Sequence, residues 1–278
     1  MIRVALLTTT VLLLTLLLLP FQLAGIVSNS RLQRIVPNLF HRAVAAILGI
    51  RIHQVGQPSD DRPLLILSNH VSWLDIIVIT AVRPVVFVAK QEVASWPFFG
   101  WLAKLQRTVF IERERRHKTG EVTREMASRL RSGDAVVLFA EGTSSDGNRI
   151  LPFRSALVGA VHHTLGDETR HSSVTVQPLS VAYTGVGGVP SGRALRDKLA
   201  WYGDMDLIPH MLGIFLSGAV DVTVSWGEPV AYDMSADRKR IARDAEASVR
   251  RMTAAALRQR ALKPEPELGD AVPAPVVS

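Results

Sequence analysis

The segment Ser68-Asn69-His70-Val71-Ser72-Trp73-Leu74-Asp75 sets a histidine and a carboxylate five residues apart, directly after the apolar run PLLIL. Histidine is the side chain best suited to take a proton near neutral pH, and a carboxylate on its far ring nitrogen would fix the tautomer and stabilise the imidazolium. Five residues at about 100° each would leave the two side chains roughly 140° apart on a regular helix, so they cannot meet there. The pair works only if His70 sits on a strand-to-helix turn and Asp75 on the first helical turns. A helix-capping Ser72 beside a buried histidine is the competing structural reading.

Three further stretches could contribute. Phe139-Ala140-Glu141-Gly142-Thr143-Ser144-Ser145-Asp146-Gly147 closes the apolar run AVVLFA, and loops at the carboxyl ends of sheet strands are where open α/β folds hold ligands. A carboxylate, a flexible glycine and a hydroxyl there could orient a polar headgroup; a plain Gly/Ser/Asp turn is the alternative. Thr108-Val109-Phe110-Ile111-Glu112-Arg113 reads as a strand ending in an arginine able to fork onto an anion. Ala94-Ser95-Trp96-Pro97-Phe98-Phe99-Gly100-Trp101 gathers two Trp and two Phe, which suits either core or a membrane interface. No G-x-S-x-G nucleophile elbow occurs, and His162, His163 and His171 lack a metal-site spacing, so no metal is expected.

Positioning these groups requires strands and helices in alternation. Short apolar runs at Leu64 to Leu67, Val85 to Ala89, Thr108 to Glu112, Ala135 to Ala140, Thr175 to Tyr183 and Asp221 to Trp226 read as strands. Helical patterns lie between them at Ser72 to Val82, Phe98 to Leu105, Lys118 to Arg131 and Arg154 to His163. That alternation predicts an α/β fold, a mostly parallel central sheet flanked by helices.

The chain of 278 residues is 47% hydrophobic and 21% charged, which excludes disorder over most of its length. It has no cysteine, which excludes disulfide staples, thiolate catalysis and lipid attachment through a thiol. Between Arg3 and Arg31 lie 27 residues without a formal charge, enough to cross a bilayer. With no convincing cleavage box the run reads as an uncleaved anchor, a cleaved signal peptide and a hairpin turning at Pro20 being the alternatives. Arg31, Arg34, Arg42 and Arg51 follow the run, which by the positive-inside rule puts the body on the cytoplasmic face of the inner membrane. Residues 1–30 are thus expected to be the N-terminal membrane-anchoring helix, 31–58 a membrane-proximal amphipathic helix, 59–232 the α/β domain, 233–262 an Arg-rich helix and 263–278 a disordered tail. The net charge of +7 comes with no base-reading motif, so no nucleic-acid partner is expected.

Taken in order, the segments resemble the glycerolipid acyltransferase family that includes 1-acyl-sn-glycerol-3-phosphate acyltransferase. The block N-H-x4-D is matched by Asn69, His70 and Asp75, and a strand closing on arginine by Val109 to Arg113. The block F-P-E-G-T-R-S is matched by Phe139, Glu141, Gly142, Thr143 and Ser145, and an apolar strand with a central proline by Val176-Gln177-Pro178-Leu179-Ser180. The resemblance implies transfer of a fatty acyl group from acyl carrier protein or coenzyme A, as co-substrate and without a further cofactor, to the free hydroxyl of a lysolipid in the bilayer. His70 would take the hydroxyl proton and Asp75 would orient it, while Arg113, Glu141, Gly142 and Thr143 would bind the headgroup. Asn69, Ser72, Lys90 and Arg154 are further candidates.

Two departures bear on the acceptor. Ala140 stands where the third block has proline, and Ser144 where it has the arginine expected to help bind a phosphate. The resemblance favours 1-acyl-sn-glycerol-3-phosphate as acceptor, giving phosphatidic acid. The lost arginine, with TSSDGNRILPFRSAL and WYGDMDLIPHM, is similar to the lyso-ornithine lipid O-acyltransferase branch, whose acceptor carries no phosphate. An acyl thioesterase and a non-catalytic module binding anionic lipid are the readings from other classes.

Overall fold

The computed structural model describes residues 2–111, 119–159, 173–233 and 237–258. In chain order the elements are α1 (Ile2–Val27), α2 (Leu32–Leu48), β1 (Ile50–Val55), β2 (Leu64–Ser68), α3 (Leu74–Val82), β3 (Val86–Lys90), α4 (Phe99–Leu105), β4 (Val109–Ile111), α5 (Thr119–Arg131), β5 (Ala135–Phe139) and α6 (Ser155–Gly159). They continue with β6 (Ser173–Val186), β7 (Val189–Pro190), α7 (Arg193–Leu199), α8 (Leu207–Ser217), β8 (Val220–Trp226), β9 (Val230–Asp233) and α9 (Arg238–Leu257). Arg113, Lys118, His162, His163, His171 and the tail 263–278 lie outside the described residues.

One sheet runs β1-β8-β6-β2-β5-β3-β4, with β7 and β9 paired to β6. Strands β2 to β6 run parallel, whereas β7, β8 and β9 run antiparallel to β6 and β1 follows β8, so the sheet is mixed, with the expected parallel arrangement over β2 to β6. Strands LLILS and AVVLF are buried at every position because helices cover both faces. Alternation then sorts their side chains. Leu64 and Ile66 face a core shared with α2, α3 and α8, while Leu65 and Leu67 face one shared with α5, α6 and α9.

Two expectations about the N-terminal region change. The helix expected over residues 31–58 stops at Leu48, where Gly49 takes a left-handed φ of 75°, and Ile50–Val55 becomes an edge strand paired in parallel with β8. The sheet therefore begins before residue 59. Helix α1 passes Pro20 unbroken, and the chain reverses at 28–31 so that α2 returns along α1. Val4, Leu7, Val11 and Leu14 pack on the first core, and buried Gln22 donates to the Leu105 carbonyl at 2.6 Å. The opposite flank exposes Ile2, Leu6, Leu13, Leu16, Leu17 and Phe21. Arg34, expected beside the membrane, turns inward to buried Asp134 at 2.6 Å, which Arg107 also meets at 2.8 Å.

Candidate active site

The register of three parallel strands assembles the site. Ser68 stands opposite Phe139, the last residue of β5, on one side and Leu179, within β6, on the other, so the residues just beyond the ends of β2 and β5 converge beside the middle of β6. Asn69 accepts from the Val181 amide and donates to the Val181 carbonyl, both at 2.9 Å. Fully buried and spent on β6, Asn69 is a bracket that fixes where His70 leaves the strand, and it is unavailable to a substrate.

His70 and Asp75 meet as the spacing argument requires. His70 occupies the turn, α3 begins at Leu74, and His70 Nδ1 lies 2.8 Å from Asp75 Oδ2. The same oxygen accepts from the Val71 amide at 2.7 Å and the Ser72 amide at 3.1 Å. Asp75 is thus itself the acceptor for amides at the start of the helix, the capping role the sequence suggested for Ser72. Ser72 is buried and its hydroxyl has no partner among the described residues, so nothing supports substrate contact there. With three donors on an ionised carboxylate, Nδ1 carries the proton and Nε2 is left as the acceptor. The ring stacks on Phe139, centroids 3.9 Å apart, and the His70 carbonyl accepts from the Ser145 amide at 2.9 Å.

Tyr183, on β6, was not singled out from the sequence. It is 2% exposed, and its hydroxyl donates to Asp75 Oδ1 at 2.7 Å, completing the carboxylate's partners. Burial, then the adjacent Asp75 charge, pushes its phenol well above the ordinary range, so it remains a donor. Its one sequence signal is a polar-tipped aromatic within an expected strand, where burial would demand a partner for the hydroxyl.

Glu141 is not free to hold a headgroup. It is 1% exposed, with one oxygen accepting from the His70 amide at 2.9 Å and the other from the Leu151 amide at 2.8 Å. Burial lifts its carboxyl from 4.5 to about 7, against the two amide bonds and Arg250 that lower it. Gly142 takes φ of 75°, and a Cβ there would lie 3.0 Å from the Arg154 side chain. Thr143 is exposed beside it, Ser144 and Lys90 border the same opening, and Arg154 is exposed with its amide bonded to the Ala140 carbonyl. Arg113 lies outside the described residues.

His70 opens into a largely apolar cavity of about 650 Å³ between the α1–α2 pair and the sheet. Its α1 wall, from Thr8 to Gln22, is about 21 Å long at the helical rise. None of the four clustered aromatics joins either core: Trp96 and Phe99 are half-buried, Phe98 and Trp101 are exposed at 41% and 42%, and Trp96, Phe98 and Phe99 line this cavity. Trp96 also meets Trp201 edge to face, centroids 5.7 Å apart. A base with a fixed tautomer at the mouth of a cavity able to hold a hydrocarbon chain can deprotonate a hydroxyl presented from a lipid phase.

Comparisons with known proteins bear on the chemistry. Residues 49–182 match the family model described as Acyltransferase. The chain is 49% identical over 256 residues to the lyso-ornithine lipid O-acyltransferase of Brucella abortus, covering 92% of this chain and 96% of that protein. The enzyme of the same description from Rhizobium meliloti is 43% identical, covering 95% and 91%. The 1-acyl-sn-glycerol-3-phosphate acyltransferase of Neisseria meningitidis is 42% identical over 118 residues, 42% of this chain and 46% of that one. The crystal structure of the 1-acyl-sn-glycerophosphate acyltransferase PlsC from Thermotoga maritima shares the fold, with a TM-score of 0.57 at 20% identity, covering 93% and 99%.

Proposed function

The chain belongs to the acyltransferase family, and from that premise we propose that lyso-ornithine lipid is its acceptor, ahead of the 1-acyl-sn-glycerol-3-phosphate favoured by the sequence blocks. The protein is a membrane-associated lysolipid acyltransferase of lipid biosynthesis. One observation carries the choice of acceptor: similarity to lyso-ornithine lipid O-acyltransferases extends over nearly both whole chains, whereas similarity to the Neisseria enzyme covers less than half of each. Ser144, at the mouth of the cavity where the phosphate-binding arginine is expected, supports the same reading.

In the reaction we propose, His70 Nε2 removes the proton from the acceptor hydroxyl as its oxygen attacks the carbonyl carbon of the acyl thioester. The tetrahedral intermediate collapses, the C–S bond breaks, and the imidazolium returns the proton to the departing thiolate. Asp75 holds the tautomer and balances the transient charge. Glu141 acts as a positioning residue, tying the His70 backbone to the 151 loop. The acyl chain occupies the apolar cavity, and the exposed flank of α1 enters the membrane on its cytoplasmic side. Because α1 is bound along the domain by α2 and Gln22, insertion from one face fits it better than an upright span.

Membranes carrying the protein, given labelled acyl thioester and each acceptor in turn, test this. Acylation of lyso-ornithine lipid at least about tenfold faster than of 1-acyl-sn-glycerol-3-phosphate is expected; the reverse order overturns the assignment. Thiol release without added lysolipid would instead mark a thioesterase.

A further inference from the structure

The two sides of the sheet differ in what they show to the surroundings. On one layer, α1, α2, α4 and α8 carry most of the exposed large hydrophobic side chains among the described residues, including Leu16, Phe21, Ile35, Trp101, Ile208 and Leu216. On the other layer lies α9, which seats Ala242, Ala245, Val249, Thr253 and Ala256 in the second core and turns its remaining surface to solvent. The Arg-rich helix expected from the sequence therefore points away from the layer that carries the exposed apolar side chains.

Residues 237–258 hold seven cations against three carboxylates. Two carboxylates are taken by pairs one turn apart, Arg240–Asp244 and Arg250–Glu246, and Asp237 caps the helix by accepting from the Lys239 amide. Arg238, Lys239, Arg243, Arg251 and Arg258 are exposed and have no ion-pair partner among the described residues. At 100° per residue, Arg240, Arg243, Arg250, Arg251 and Arg258 fall within a sector of about 100°, opposite the buried stripe and about 27 Å long. The helix dipole accounts for a cation in the last turn but not for arginines at mid-helix.

The C-terminal half of this face is level with the candidate active site. Thr253 Oγ1 lies 2.7 Å from Ser180 Oγ, and the next strand residue, Val181, is the one Asn69 clamps beside His70. Upstream, Glu246 accepts from the Phe153 amide at 2.8 Å, in the loop that Glu141 holds. We propose that the arginine face of α9 is the docking surface for an acidic carrier protein that delivers the acyl chain as a thioester. This rests on the acyltransferase reading. A donor must come from water while the acceptor comes from the bilayer, and this row of exposed arginines on α9 lies on the side opposite the apolar one. A coenzyme A thioester would be gripped locally by its phosphates and would not need a charged face of this length; a folded acidic protein matches it.

The test uses the full-length protein in zwitterionic vesicles, with a purified acidic acyl carrier protein loaded with palmitate and, separately, palmitoyl-coenzyme A. Arg243→Glu with Arg251→Glu is expected to raise KM for the loaded carrier protein about tenfold, leaving kcat and KM for the lysolipid unchanged. The difference is expected to vanish near 0.5 M salt, where the screening length is only about 4 Å. Binding of labelled, unacylated carrier protein, read by fluorescence anisotropy, weakens in parallel. An unchanged KM for the carrier protein overturns the proposal, as does loss of binding to anionic vesicles in its place. If the unsubstituted protein uses palmitoyl-coenzyme A and not the carrier protein, docking is overturned while the acyltransferase reading stands. Transfer from neither donor removes that reading itself.

Discussion

Replacing Tyr183 by Phe removes one hydroxyl and almost no volume, so it isolates the contact to Asp75. The bond is 2.7 Å long and wholly buried, and its acceptor is a carboxylate. Hydrogen bonds to charged groups are worth about 1.5 to 3 kcal/mol, or roughly 10- to 150-fold if expressed entirely in turnover. The lower end is expected here, because Asp75 Oδ2 keeps its bonds to the His70 ring and to the Val71 and Ser72 amides. Without the Tyr183 proton, Asp75 loses one of the bonds that fix its orientation against His70 Nδ1, so turnover falls while acceptor KM changes little. The assay is kcat at saturating acceptor for wild type and Tyr183→Phe, repeated in an Asp75→Asn background. Wild-type turnover, with only a lower Tm, would refute a role exerted through Asp75. So would a further tenfold loss when Tyr183→Phe is added to Asp75→Asn, since the route through the carboxylate is then already broken.

Three other outcomes follow from the same geometry. Asp75→Asn keeps the shape but lets the His70 tautomer reverse; turnover should fall about 10³-fold or more with acceptor KM changed far less, and equal turnover would remove the base assignment. Glu141 has a carboxyl raised by burial from 4.5 to about 7, so the stability it contributes is fully present below 4.5 and is lost as pH rises through 7. Glu141→Gln lacks that titration, and the Tm gap between wild type and variant should narrow from pH 5 to 8; a gap that widens contradicts the assignment. Ser144→Arg restores the charge at the cavity mouth and should improve kcat/KM for 1-acyl-sn-glycerol-3-phosphate about tenfold relative to lyso-ornithine lipid, read in a competition assay.

Much of the site could be read along the chain because its parts are local. His70 and Asp75 are five residues apart, and the angle between them on a helix already required the turn the structure shows. Strands β2 and β5 were visible because burial on both faces demands unbroken apolar runs. Strand β1 was missed: IRIHQV is an edge strand with one wet face, and its polar residues merged with the amphipathic pattern before it. Helix α8 was missed as well, since Pro209 and Gly213 argue against a helix that packing nevertheless holds.

Residue types and their spacing along the chain set the chemistry available: a histidine, its carboxylate, an acidic loop at a strand end, an apolar N-terminal run and a missing arginine at Ser144. What each group does with its neighbours follows from how the chain packs. Asn69 and Glu141, both expected near the substrate, are spent on backbone groups 112 and 71 residues away, and Tyr183 reaches Asp75 across 108 residues. The same holds for the arginines of α9, whose spacing marks a helix face but not the side of the sheet it occupies. Local spacing fixes which groups can share a turn or a helix face. Partners across a sheet depend on strand order and register, which arise from burying two apolar faces at once and leave no signature at any one position.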